Sequence, residues 1–170
     1  MGELADRVDS MRVSVSTPDG GLTAELRDRD QLSLTFRDGL YQLLDDADLG
    51  RRLAVLAQLL WVARTREYWR IYGDVTGDYS TGEDKPISER DIAWKTERDN
   101  LEVTGSSADG RVTVRCVGMR QWQVTVRPGT VRALDEHQFS IAAGEAAGAL
   151  IRDQFAALAA LSNKYYGEDR

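Results

Sequence analysis

The residues best suited to chemistry form one run near the middle of the chain. Arg64, Arg66, Tyr68, Trp69, Arg70 and Tyr72 interleave guanidinium groups with aromatic rings. Arg contacts phosphate and aromatic rings stack on bases, and the same residue types dominate protein hot spots. Arg51 and Arg52 lie upstream in the same predicted helix, so Asp48–Tyr72 carries five Arg against Asp48 and Glu67. A second basic group, Arg90, Lys95 and Arg98, falls in the predicted helix that follows Ser88. Three readings fit this pattern: a solvated helix end whose Arg complement the dipole, a protein contact and a DNA contact. Residues 73–100 bear eight acids against four bases, which repels a duplex laid across the same face.

Other chemistry has little to stand on. His137 is the single histidine, beside Asp135 and Glu136 where a helix is predicted to begin, and reads as a first-turn residue. With no second His and only one Cys, no zinc set can be assembled. Phosphate-loop, dinucleotide and nucleophile-elbow signatures are absent from the sequence. Cys116 falls in a predicted strand and reads as a buried structural thiol. The acid clusters Asp45-Asp46-Ala47-Asp48 and Asp135-Glu136 each precede a long apolar stretch. They read as helix caps rather than paired catalytic carboxylates. The expectation is therefore a binding protein that is not an enzyme, with no cofactor and no metal.

Composition agrees. The 170 residues hold 28 acids and 22 bases, a net charge of −6, with 42% hydrophobic and 29% charged residues. Such a chain buries a real core and is too apolar for disorder. No apolar run reaches the ~18 residues of a membrane span. The start MGELADRVDS does not read as a signal peptide, so a cytoplasmic location with no membrane partner is expected.

What positions these residues is an internal repeat. Residues 16–45 align without a gap on residues 106–135, at a constant offset of ninety, with ten identities in thirty positions. They include Asp19/Asp109, Gly20/Gly110, Arg37/Arg127, Gly39/Gly129 and Asp45/Asp135. Each copy predicts three strands and a long helix: Val13–Ser16, Leu22–Arg27, Leu32–Arg37 and Leu49–Tyr72, then Leu101–Thr104, Val112–Val117, Trp122–Arg127 and Phe139–Tyr166. Asp-Gly at each first turn is hairpin chemistry. The run Leu53–Ala63 is apolar nearly all round, which predicts burial on more than one side. The small residues of Ala142–Leu161 predict close approach between the two long helices. Opening helices are expected within Met1–Met11 and after Ser88, a plausible N-cap. The fold class is thus α+β, two tandem helix–three-stranded antiparallel sheet–long helix units. Residues 1–72 form the first unit, 73–86 an acidic, turn-rich linker and 87–170 the second unit.

The segment Asn100-Leu101-Glu102-Val103-Thr104-Gly105-Ser106, with Gly110-Arg111-Val112-Thr113-Val114 after it, resembles the YbaB/EbfC family of small bacterial nucleoid-associated proteins. In that family a helix runs into an LEVTG strand, a Gly-rich turn, a V-x-V strand, a third strand ending near a Pro, and a long helix. Pro128 and Asp135 stand where that pattern asks. The resemblance covers 87–166 directly and 1–72 through the repeat. It implies DNA binding, and, because family members are homodimers, an intramolecular pseudo-dimer that is a monomer or a weak homodimer. YbaB-like domains also accompany actinobacterial type VII secretion, which implies the alternative of a protein-interaction adaptor or chaperone-like accessory. The first copy departs from the pattern, with Arg12-Val13-Ser14-Val15-Ser16 in place of LEVTG and a short opening helix. The second has Met119-Arg120 where a turn Gly or Asn is usual.

Overall fold

The computed structural model describes residues 2–79 and 87–167. Two three-stranded antiparallel sheets each precede a long helix, so the protein is α+β. The elements are α1 (Glu3–Asp9), β1 (Arg12–Ser16), β2 (Leu22–Arg27), β3 (Gln31–Phe36) and α2 (Asp46–Thr76). They are followed by α3 (Glu89–Asp99), β4 (Glu102–Ser106), β5 (Val112–Val117), β6 (Gln121–Val126), the short α4 (Thr130–Ala133) and α5 (Glu136–Tyr166). The offset of ninety holds for every strand and for both long helices, each of 31 residues. It also holds for register, with Arg12 opposite Arg27 as Glu102 is opposite Val117.

The turns repeat atom for atom. The Thr17 hydroxyl donates to Asp19 Oδ1 at 2.7 Å, and that oxygen accepts from the Gly21 amide at 2.9 Å. Ser107, Asp109 and Arg111 make the same pair of bonds at 2.6 and 3.0 Å. Gly20 and Gly110 take positive φ at both turns, as a tight hairpin demands. The second hairpins place Asp28 and Arg29 in one copy, and Gly118 and Met119 in the other, in the left-handed region. Met119 therefore occupies the conformation for which Gly or Asn is usual.

Both long helices start three residues earlier than the apolar pattern predicts. Asp45 accepts from the Asp48 amide at 2.7 Å, while Asp135 and Gln138 form a complete capping box. The acids read as caps are caps, and the acids after them lie in the first turn. Ser88 likewise caps α3, accepting from the Asp91 amide. At the other end α2 continues to Thr76, so the first residues assigned to the linker are helical and Gly73 is buried. Gly77, with φ of 78°, ends the helix. The rest of the predicted linker, residues 80–86, lies outside the described residues.

Each long helix serves both sheets. α2 packs on β1 of its own sheet and on β6 of the other, and α5 packs on β4 and on β3. The inward residues form one apolar core with members from both halves, including Leu22, Phe36, Leu53, Leu56, Val103, Val112, Phe139 and Leu150. At its centre a cavity of about 70 Å³ is lined by Leu26, Leu56, Trp61, Val114, Trp122 and Ile151, among others. The small residues of α5 do not mediate the close helix–helix packing they predict. A Cβ at Gly144 would lie 2.9 Å from the Leu32 carbonyl oxygen, and one at Gly148 3.0 Å from that of Asp30. They let α5 settle against the edge of β3 instead. Where the two helices do meet, long side chains make the contact, with Arg64 over the Phe155 ring at 5.6 Å.

Candidate binding surface

The two predicted cationic groups are carried by different elements. Arg51, Arg52, Arg64, Arg66, Tyr68, Trp69 and Arg70 lie along α2, whose last turns pack against α1. Arg90, Lys95 and Arg98 lie on α3, which packs against α5. Short α1 and longer α3 thus buttress the ends of the two long helices. Arg7 pairs with Asp74 at 3.5 Å on one side, and Lys164 with Glu97 at 2.6 Å on the other. Tyr165 also donates to Glu97, and Tyr166 to Asp91.

Most of the predicted phosphate contacts are already engaged by the chain itself. Arg52 reaches the β1–β2 turn and pairs with Asp19 at 2.8 Å. Arg70 is clamped between Glu67 and Asp74 at 2.5 and 2.8 Å, and its hydrogen bond to Glu67 holds that carboxyl below its ordinary range. Arg98 pairs with Asp99 at 3.3 Å and lies over the Trp94 ring. Arg51 pairs with Asp48 on the surface. Arg64 is half-buried over the Trp61 ring at 4.8 Å, and this desolvation lowers its guanidinium pKa from the ordinary value. Arg90 stands 5.8 Å from the Tyr166 ring centroid. Among the described residues Arg66 and Lys95 enter no ion pair. The aromatic residues turn to one another: Tyr68, Trp69 and Tyr72 form a cluster with centroid distances of 4.8 to 6.5 Å.

The remaining sequence candidates lie apart from these cationic groups. Cys116 is fully buried, and burial pushes its thiol up to about 11. His137 is exposed in the first turn of α5. No group of His, Cys, Asp and Glu among the described residues is placed to hold a metal ion. None of the described helices is long and apolar enough to cross a membrane.

What the pattern reading missed is an open apolar face. Leu53–Ala63 is not buried all round, because Val55, Leu59 and Val62 are 46%, 37% and 45% exposed. They sit at i, i+4 and i+7 and so share one face of α2. The repeat is the signal that could have found them. Ninety residues on, the same helix positions hold Glu145, Ala149 and Arg152.

No family model matches the chain, and neither a curated protein nor a solved structure does.

Proposed function

We propose that this chain is a non-enzymatic binding protein of YbaB/EbfC-like architecture, an intramolecular pseudo-dimer whose ligand is another protein. The pseudo-dimer reading is supported by the constant offset and by the laying of each long helix on the other unit's edge strand. The observation that carries the choice of ligand is the pairing of the cations. Arg52, Arg70 and Arg98 are each held by a carboxylate of this chain, and Arg64 is stacked and half-buried. A phosphate backbone would have to displace those carboxylates, so few net charges would be neutralised per contact. DNA binding, the reading the family resemblance favours, keeps Arg66 and Lys95 as its best contacts.

The test is a photo-crosslinking amino acid at position 66, in the source cells. Adducts that are protease-sensitive and nuclease-resistant are expected. Nuclease-sensitive adducts would replace the protein reading with DNA. They should then be accompanied by a mobility shift at low ionic strength that fades as salt rises and is weakened in Arg66→Gln/Lys95→Gln.

A further inference from the structure

We propose that the outward face of α2, from Arg51 to Arg66, docks an acidic amphipathic helix of a partner protein; this deepens, and rests on, the protein-binding reading. Three aliphatic side chains, Val55, Leu59 and Val62, form a continuous stripe there and are 37–46% exposed. The repeat supplies an internal control for why they are apolar. Helix α5 has the same length, start and strand contacts, yet carries Glu145, Ala149 and Arg152 at these positions. Packing in this fold does not demand aliphatic residues there. Exposed apolar patches rimmed by polar residues mark interaction sites.

Charge selects the occupant. Arg51 lies one turn before Val55 and Arg66 one turn after Val62, on the same face and about 22 Å apart at the α-helical rise. Between them the chain has no Asp or Glu at all, whereas the equivalent stretch of α5 has Glu145 and Asp153. Arg66 has no ion pair among the described residues, and Arg51 holds only an exposed one with Asp48, which a partner carboxylate can exchange. A helix of about four turns, apolar along one stripe and acidic towards both ends, matches this face in length, polarity and charge. A second copy matches it badly. Antiparallel pairing about Gln58 and Leu59 sets Val55 against Val62, but also Arg51 against Arg66 at both ends. Parallel pairing sets each Arg against itself.

The experiment uses the full chain and two labelled peptides of about 18 residues, long enough to span the face. Both carry the same leucine stripe, one flanked by Glu and the other by Lys. Fluorescence anisotropy should show the acidic peptide binding about tenfold tighter, the scale expected of two charge pairs. The triple variant Val55→Glu/Leu59→Ala/Val62→Arg installs the side chains α5 already uses. It should lose the acidic peptide while circular dichroism and melting temperature stay unchanged. The double variant Arg51→Glu/Arg66→Glu should exchange the preference to the basic peptide, a readout that misfolding cannot mimic. Equal binding of both peptides, or undiminished binding by the triple variant, would overturn the proposal. So would a wild-type dimer that the triple variant dissolves in sedimentation, or binding to anionic vesicles that it abolishes. Protein adducts at position 66 together with failed peptide binding would remove this face alone; nuclease-sensitive adducts would remove the protein reading itself.

Discussion

Gly105 of the LEVTG string sits where the backbone of α5 crosses β4. A Cβ there would meet the Ala146 carbonyl oxygen at 2.2 Å and the Leu150 amide nitrogen at 2.3 Å. Neither neighbour is a side chain that could move aside, so strand and helix would have to separate. Gly105→Ala should cost about 3 kcal/mol by overpacking, read from urea unfolding. Asp19 acts at the same scale through charge. Its carboxyl accepts from the Thr17 hydroxyl, the Gly21 amide and Arg52, and these bonds hold its pKa well below the ordinary range. Because the folded-state pKa is depressed, the stability it contributes is present above the unfolded value of about 3.9 and is lost as the pH falls towards the folded one. Asp19→Asn should therefore melt below the wild type at neutral pH, and the gap should close progressively below about pH 4. A gap that stays constant into acid would show that the charge of Asp19 is not what holds the turn.

Among the elements, the helix starts do more than cap. Asp46, in the first turn of α2, accepts from the Gly129 and Val131 amides of the second unit, each at 2.9 Å. Tyr41 of the first unit donates to the Leu134 carbonyl at 2.7 Å, and Arg152 pairs with Asp30 at 2.9 Å. Asp46 thus ties the start of α2 to the second unit, Tyr41 joins the segments that lead into the two long helices, and Arg152 ties the middle of α5 to the residue before β3. Asp46→Ala strips two charge-assisted bonds from backbone amides, while its repeat partner Glu136 has no equivalent hydrogen bonds. Asp46→Ala should cost about 1–2 kcal/mol and Glu136→Ala only a few tenths, compared in the same denaturant titration. Equal costs would mean that the bridge contributes nothing beyond the helix dipole.

At the scale of the whole molecule, both halves contribute to one apolar core. Removing residues 1–83 would strip α2 from β6 and the first sheet from α5, uncovering Val114, Val126, Phe139 and Ile151. A fragment of residues 84–170 should therefore self-associate or precipitate. Mixed with residues 1–83 on refolding, it should give a 1:1 complex by sedimentation. A well-dispersed, folded, monomeric fragment would show that the halves are independent. For the intact chain, tryptophan fluorescence and far-ultraviolet circular dichroism should report a single coincident unfolding transition, since the core is shared.

Much of the architecture could be read from residues alone, because its causes are local. Alternating apolar residues with Asp-Gly turns specify hairpins. Aspartates ahead of long apolar stretches specify helix starts, and a gapless match at an offset of ninety makes each copy a check on the other. Ends were harder: the linker's first residues joined α2, and the acids placed before the helices belonged partly to their first turns. The binding surface was the least legible part. Composition marks Arg52, Arg64, Arg70 and Arg98 as available cations. Their partners, Asp19, Trp61, Glu67 with Asp74, and Asp99, decide how much of that charge is left to face a ligand. The partner of Arg52 lies 33 residues away, and no spacing rule reaches it. Likewise an apolar run in a helix announces burial but not its direction. Only the placement of α2 across β1 and β6 turns Leu53, Leu56 and Leu60 inward and leaves Val55, Leu59 and Val62 to water.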